Sequence, residues 1–145
     1  MTVFQGQSQY LAEKLLNHTF RATSYTAPTS WYLALMTTNS TYTTSGTEFT
    51  SGSSPGYVRT SLPAFNAPSA STNSSSIANS TDITCYTPSG DGQTAVEVAI
   101  FDQASGGNRL YSGPLTTSIA VKNGVPIVIT ASSNPLTLSL GGQQL

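Results

Sequence analysis

The apolar positions of this chain follow two periods. Between Ser8 and Arg21, the residues Leu11, Ala12, Leu15, Leu16 and Phe20 recur at three- to four-residue intervals, the spacing of one face of an α-helix. Glu13, Lys14, Asn17 and Arg21 fall largely on the other side, Ser8 is placed to cap the first turn, and Arg21 suits the negative end of the helix dipole. The spacing therefore predicts a helix over residues 8–21. From Ser30 onward the pattern shortens to that of strands. Ser30–Thr37 reads as a buried strand, and Tyr57–Leu62 and Asp82–Tyr86 read as shorter ones. Ala95–Phe101 is apolar on much of both faces. Arg109–Ser112, Leu115–Lys122, Val125–Thr130 and the alternating Leu136, Leu138 and Leu140 complete the set.

The segments between these runs carry turn chemistry. Asp102–Asn108 (DQASGGN) reads as a hairpin loop. Asn123-Gly124 predicts a two-residue hairpin turn of type I′, which needs positive φ at both central positions. Pro126 places the start of its strand at an edge or ahead of regular pairing. Thr37–Gly56 and Ser69–Ser80 are long and polar and predict loops. Residues 1–7 are polar apart from Val3 and Phe4 and read as an N-terminal arm before a single domain over 8–145. One helix and about eight short strands predict a mainly β fold: an antiparallel β-sandwich or open barrel, with the amphipathic helix on a sheet face or over an open end.

Composition narrows the function classes. Of 145 residues only 8% are charged, and the formal net charge is -1. Five Lys plus Arg cannot form a nucleic-acid footprint, so no nucleic-acid partner is expected. The longest apolar run, Val125–Ile129, contains Pro126 and is too short to span a membrane, and no membrane partner is expected. The N-terminus shows no basic leader before an apolar stretch, so no secretory signal is expected. Cys85 is the lone cysteine, which excludes an internal disulfide. Twenty-two Ser and 22 Thr supply nearly a third of the chain, enough to hydrate a surface without charge.

Catalytic chemistry has little to build on. His18 is the only histidine, and the carboxylates Glu13, Glu48, Asp82, Asp91, Glu97 and Asp102 show no paired spacing. No Gly-x-Ser-x-Gly elbow exposes a nucleophile. Ser51–Gly56 (SGSSPG) lacks the Lys-Ser/Thr ending of a phosphate loop, and the Asp-Gly stretches lack the spaced ligands of a calcium loop. Cys85 has no basic neighbour to activate it, and Trp31 beside Tyr32 in the most apolar strand predicts core packing. No catalytic residue, metal or cofactor is expected, and the chain is not expected to be an enzyme.

Three stretches carry a resemblance. They are SQYLAEKLLNHTF followed by YTAPTSWYLALMTT, then GYVRTSLPAF, then VEVAIFDQASGGNRLYSGPLTT with NGVPIVI. In this order they resemble a family of small tailed-bacteriophage virion proteins, variously described as tail fibre, minor tail or capsid decoration proteins. The likeness runs from about Ser8 to Leu140 and is weakest in the Ser/Thr-rich insertions. It implies a structural protein of the virion. The chain shows no repeats or heptads of a fibre shaft, so the expectation is a decoration or cement protein. It would sit on the outer capsid as a homotrimer and bridge the major capsid protein. The alternative is a tail fibre or baseplate component that binds a host receptor, with Tyr25, Trp31, Tyr42 and Tyr57 as the aromatics for a glycan. The expected contact residues are Val3 and Phe4 in the arm, Tyr42 and Phe49 in the first long loop, and Ile77 in the second.

Overall fold

A computed structural model describes residues 3–4, 6–71, 74–133 and 135–141. The chain begins with β1 (Val3–Phe4) and β2 (Gly6–Gln7) and enters α1 (Gln9–Arg21). β3 (Tyr32–Met36), β4 (Thr60–Ser61), β5 (Ser69–Ala70), β6 (Ser74–Ala78) and β7 (Ile83–Tyr86) follow. β8 (Thr94–Phe101), β9 (Arg109–Ala120), β10 (Ile127–Ile129) and β11 (Thr137–Gly141) complete it. The strands form a five-stranded sheet in the order β2-β9-β8-β3-β4, a four-stranded sheet β1-β11-β6-β5, and the pair β10-β7. All pairings are antiparallel except β1 with β11. The fold is thus mainly β with an N-terminal helix, as the pattern predicts, and its described sheets do not close into a barrel.

The main core lies between the five-stranded sheet and the other two. Leu33 and Leu35 of β3, Val98 and Ile100 of β8 and Leu110 of β9 meet Ile83 and Cys85 of β7, Ile127 of β10 and Leu138 of β11. Phe49, Tyr57 and Tyr86 fill its middle with edge-to-face ring contacts at 5.4 and 5.6 Å. A second cluster, Ala34, Met36, Ala99 and Phe101, lies on the opposite face of β3 and β8. Both faces of these central strands are therefore buried. A bulge between Ala95 and Glu97 changes the alternation, so that Ala95 joins the main core while Glu97 shares the second face.

Ser8 caps α1 as expected, accepting from Leu11 N–H at 3.2 Å, and its hydroxyl also donates to the Arg109 carbonyl. Only the first half of the helix packs. Leu11 and Ala12 are buried, whereas Leu16 and Phe20 are 58% and 79% exposed. The helix ends on Ala22, which has φ 51°, with Thr23 N–H bonding back to the Asn17 carbonyl at 3.1 Å. Glycine is the usual residue at this left-handed position.

Four expectations need correction. Residues 1–7, expected as an arm, include two short strands that pair within the domain. Ser69–Ser80, expected as a loop, supplies β5 and β6. Propensity in SSSIA is weak, but pairing with β11 sets Ile77 opposite Leu138. Buried Asn79 then fixes the end of β6, accepting from Leu136 N–H and donating to the Thr81 carbonyl, both at 2.7 Å. Arg109–Ser112 and Leu115–Lys122 form most of one continuous strand, β9, that runs through Pro114. Finally, Asn123-Gly124 turns the chain without making a hairpin. Gly124 alone has positive φ, and Val125 N–H bonds to the Lys122 carbonyl at 3.1 Å, the pattern of a type II turn. Asn123 N–H is held by the Asp91 carboxylate at 2.9 Å, and β10 leaves to pair with β7.

Two substitutions test these local devices by urea unfolding. Ala22→Gly should stabilise the domain by about 0.5–1 kcal/mol, because it relieves the left-handed strain at a cost in chain entropy. Asn79→Ala should destabilise it by about 1–3 kcal/mol by leaving buried backbone groups unpaired.

Candidate functional site

The loop between β3 and β4 follows from the burial of β3 and β8. Their second face needs a cover, and the polar segment after Thr37 provides it. Small side chains at Ala34 and Ala99 leave room for close approach, and both are fully buried. At Gly46 an added Cβ would overlap the Thr38 carbonyl, so the tight return there requires glycine. Thr37 N–H bonds to the Thr47 carbonyl and Thr47 N–H to the Thr38 hydroxyl, both at 2.7 Å.

Charged residues bind this loop to the sheet. Glu97, 2% exposed, accepts from Ser40 N–H at 2.9 and 3.0 Å and from the Ser40 hydroxyl. Arg109, 7% exposed, donates to the carbonyls of Thr41 and Tyr42 and to the Ser112 hydroxyl. Burial pulls the Arg109 guanidinium below its ordinary value, while the nearby Glu97 carboxylate opposes that shift. Farther along, Arg59 grips Glu48 with two nitrogens at 2.7 and 2.9 Å, lies over the Phe101 ring at 3.7 Å, and donates to the carbonyls of Gln103 and Gly106. It thereby ties the loop to the β8–β9 hairpin. Tyr57 donates to Glu48 at 2.9 Å and accepts from Leu35 N–H, and burial raises its pKa.

A cavity of about 310 Å³ lies beneath residues 40–42, bounded by Gln7 of β2, Glu97 of β8 and Arg109 and Ser112 of β9. Tyr42, 55% exposed, stands at this site and also borders a neighbouring depression of about 390 Å³ that reaches α1. Two buried polar atoms have no hydrogen-bond partner, Gln7 Oε1 and Arg109 Nε, and both belong to residues lining the first cavity.

The residues expected from sequence do not converge. Tyr42 lines the cavity and the other four do not. Phe49 is 3% exposed within the main core, and Ile77 is half-buried against it. Val3 and Phe4 pair with Thr137 and Leu138, and their side chains lie outside the described structure. Of the proposed glycan aromatics, Tyr57 is buried and Tyr25 and Trp31 are packed against the core, leaving Tyr42 exposed. Glu97, Arg109 and Gln7 were not expected. The available signal was Glu97 itself, a carboxylate inside the apolar run AVEVAIF, where an ionised group requires buried partners.

Among the described residues, no three His, Cys, Asp or Glu side chains gather to hold a metal, and no helix is long and apolar enough to cross a membrane. Burial pushes the Cys85 thiol up to about 12, which keeps it protonated at neutral pH.

A β domain whose charged side chains mainly fasten its own loops has the build of a structural protein. Residues 6–137 match the family model described as Podophage GP4 fiber I protein gp80. The match covers nearly the whole chain, so the chain belongs to this family of bacteriophage fibre proteins and is a structural protein of the virion. Comparison with curated proteins returns no match.

The loop anchor can be tested directly. Glu97→Ala should reduce unfolding free energy by about 1.5–3 kcal/mol, as expected for hydrogen bonds to a buried charge. It should also accelerate amide exchange at Ser40 and proteolytic nicking within 38–47. Exposed Glu13→Ala should stay within about 0.5 kcal/mol of the parent.

Proposed function

We propose that this protein is a subunit of a bacteriophage tail fibre, acting by assembly and surface adhesion and not by catalysis. The observation that carries this reading is the fibre-family match over residues 6–137. It favours the fibre alternative over the capsid-cement expectation, because the matched family is described by its fibre. The absence of a shaft repeat is compatible with a compact subunit mounted on or between other fibre components.

Self-association is part of the proposal. The second half of α1 projects Leu16 and Phe20, four residues apart and hence on one side of the helix. These side chains have little apolar contact within their own domain. Burying them against another copy would remove apolar surface from water at about 25 cal/mol per Å², a gain that salt does not screen.

Immunogold electron microscopy of intact virions should place the label at the tail. Label distributed over the head would overturn the fibre reading. The double variant Leu16→Ser with Phe20→Ser should retain the circular dichroism of the parent and lose oligomer mass in light scattering. An unchanged mass would remove α1 from the assembly interface.

A further inference from the structure

We propose that the cavity between β2, β9 and residues 40–42 is a binding site for a neutral hexose, held by Arg109 Nε, Gln7 Oε1 and the ring of Tyr42. The assignment deepens the fibre reading by naming the ligand chemistry, and it rests on that reading for the origin of the sugar in a host-surface glycan.

The unpartnered atoms define the ligand. Buried polar groups normally have partners. Arg109 is more than nine-tenths buried, and its terminal nitrogens are already engaged by Thr41, Tyr42 and Ser112, but its Nε–H is not. The guanidinium therefore has no free two-nitrogen fork with which to grip a carboxylate or phosphate. Gln7 Oε1 needs a donor, which a fully ionised anion does not supply. Glu97 on the same wall balances the Arg109 charge. A hydroxyl meets all of these conditions, since it accepts from Nε–H and donates to Oε1.

Size and shape extend the hydroxyl to a sugar. The cavity, about 310 Å³, is far larger than the roughly 30 Å³ share of one water and falls within the usual range for small-molecule sites. Tyr42 supplies an exposed aromatic face beside the polar floor, and sugar rings pair C–H faces with aromatic rings while their hydroxyls bond to polar groups. The adjoining depression, which also borders Tyr42 and Arg109, leaves space for a second residue of a chain.

The test is a titration of the full-length, nitrogen-15-labelled protein, followed by NMR. Glucose, galactose, mannose and N-acetylglucosamine are the probes, and glucuronate is the anionic comparison. At least one neutral sugar should give saturable shifts at Arg109 Nε–H, the Gln7 side-chain amide and the backbone of residues 40–42. Gln7→Leu and Tyr42→Ala should each weaken binding about tenfold. Neither side chain supplies a hydrogen bond that holds the loop, and their unchanged amide spectra elsewhere would verify the fold. Lack of shifts with every neutral sugar would overturn the assignment, including the case where Arg109 Nε–H contacts water only. Tighter binding of glucuronate, or undiminished binding by Gln7→Leu, would also overturn it. A tail-located protein that binds no sugar would leave the fibre reading standing and remove the site. Specific sugar binding by a protein located on the head would do the reverse.

Discussion

The central constraint is that β3 and β8 are apolar on both faces. One face is covered by the other sheets through ordinary aliphatic and aromatic packing. The other must be covered by a segment that contains little apolar material of its own. The chain solves this with charge-assisted hydrogen bonds: Glu97 captures Ser40, Arg109 captures the carbonyls of residues 41 and 42, and Arg59 links Glu48 to the β8–β9 hairpin. Four of the chain's few charged residues serve this one contact. Low overall charge and strong internal electrostatics are thus two aspects of the same design, with hydroxyl side chains left to hydrate the exterior.

The same arrangement produces the cavity. Arg109 reaches outward to the loop and cannot also close against Glu97, with which it forms no ion pair. Gln7 enters from β2, at the edge of the five-stranded sheet, with its carbonyl oxygen unpaired. The exposed Tyr42 follows from the loop's return over that edge. A binding surface of this kind lies on a loop that is held to a rigid sheet, which fixes the positions of its polar groups before a ligand arrives.

Much of the fold was legible in the sequence because its signals were local. The Ser8 cap, the helical spacing and the apolar runs at residues 32–36 and 95–101 depend on neighbouring residues alone. Failures occurred where distant pairing decided the outcome. SSSIA becomes a strand because β11 lies beside it. Asn123-Gly124 follows a type II turn because Asp91 holds Asn123 from across the chain. Leu16 and Phe20 fit the helical stripe, but the domain is too short along that face to cover them. The site was less legible than the fold. Tyr42 was visible as an aromatic in a polar loop, whereas Gln7 and Arg109 meet it only through the order β2-β9-β8. Phe49 looked equally available in sequence, yet its ring packs with Tyr57 in the core.

The strand order also sets a sequence of events in time. β1 and β2 find their partners in β11 and β9, and Ser8 bonds to residues 109 and 110. The first segment made on the ribosome must therefore wait for the last third of the chain before it can dock. Closing a loop of this length is entropically slow, and pairing of this kind lies late on a folding pathway. The N-terminal strands act as a latch, shut after the rest of the domain is in place and the natural first point of release when it opens.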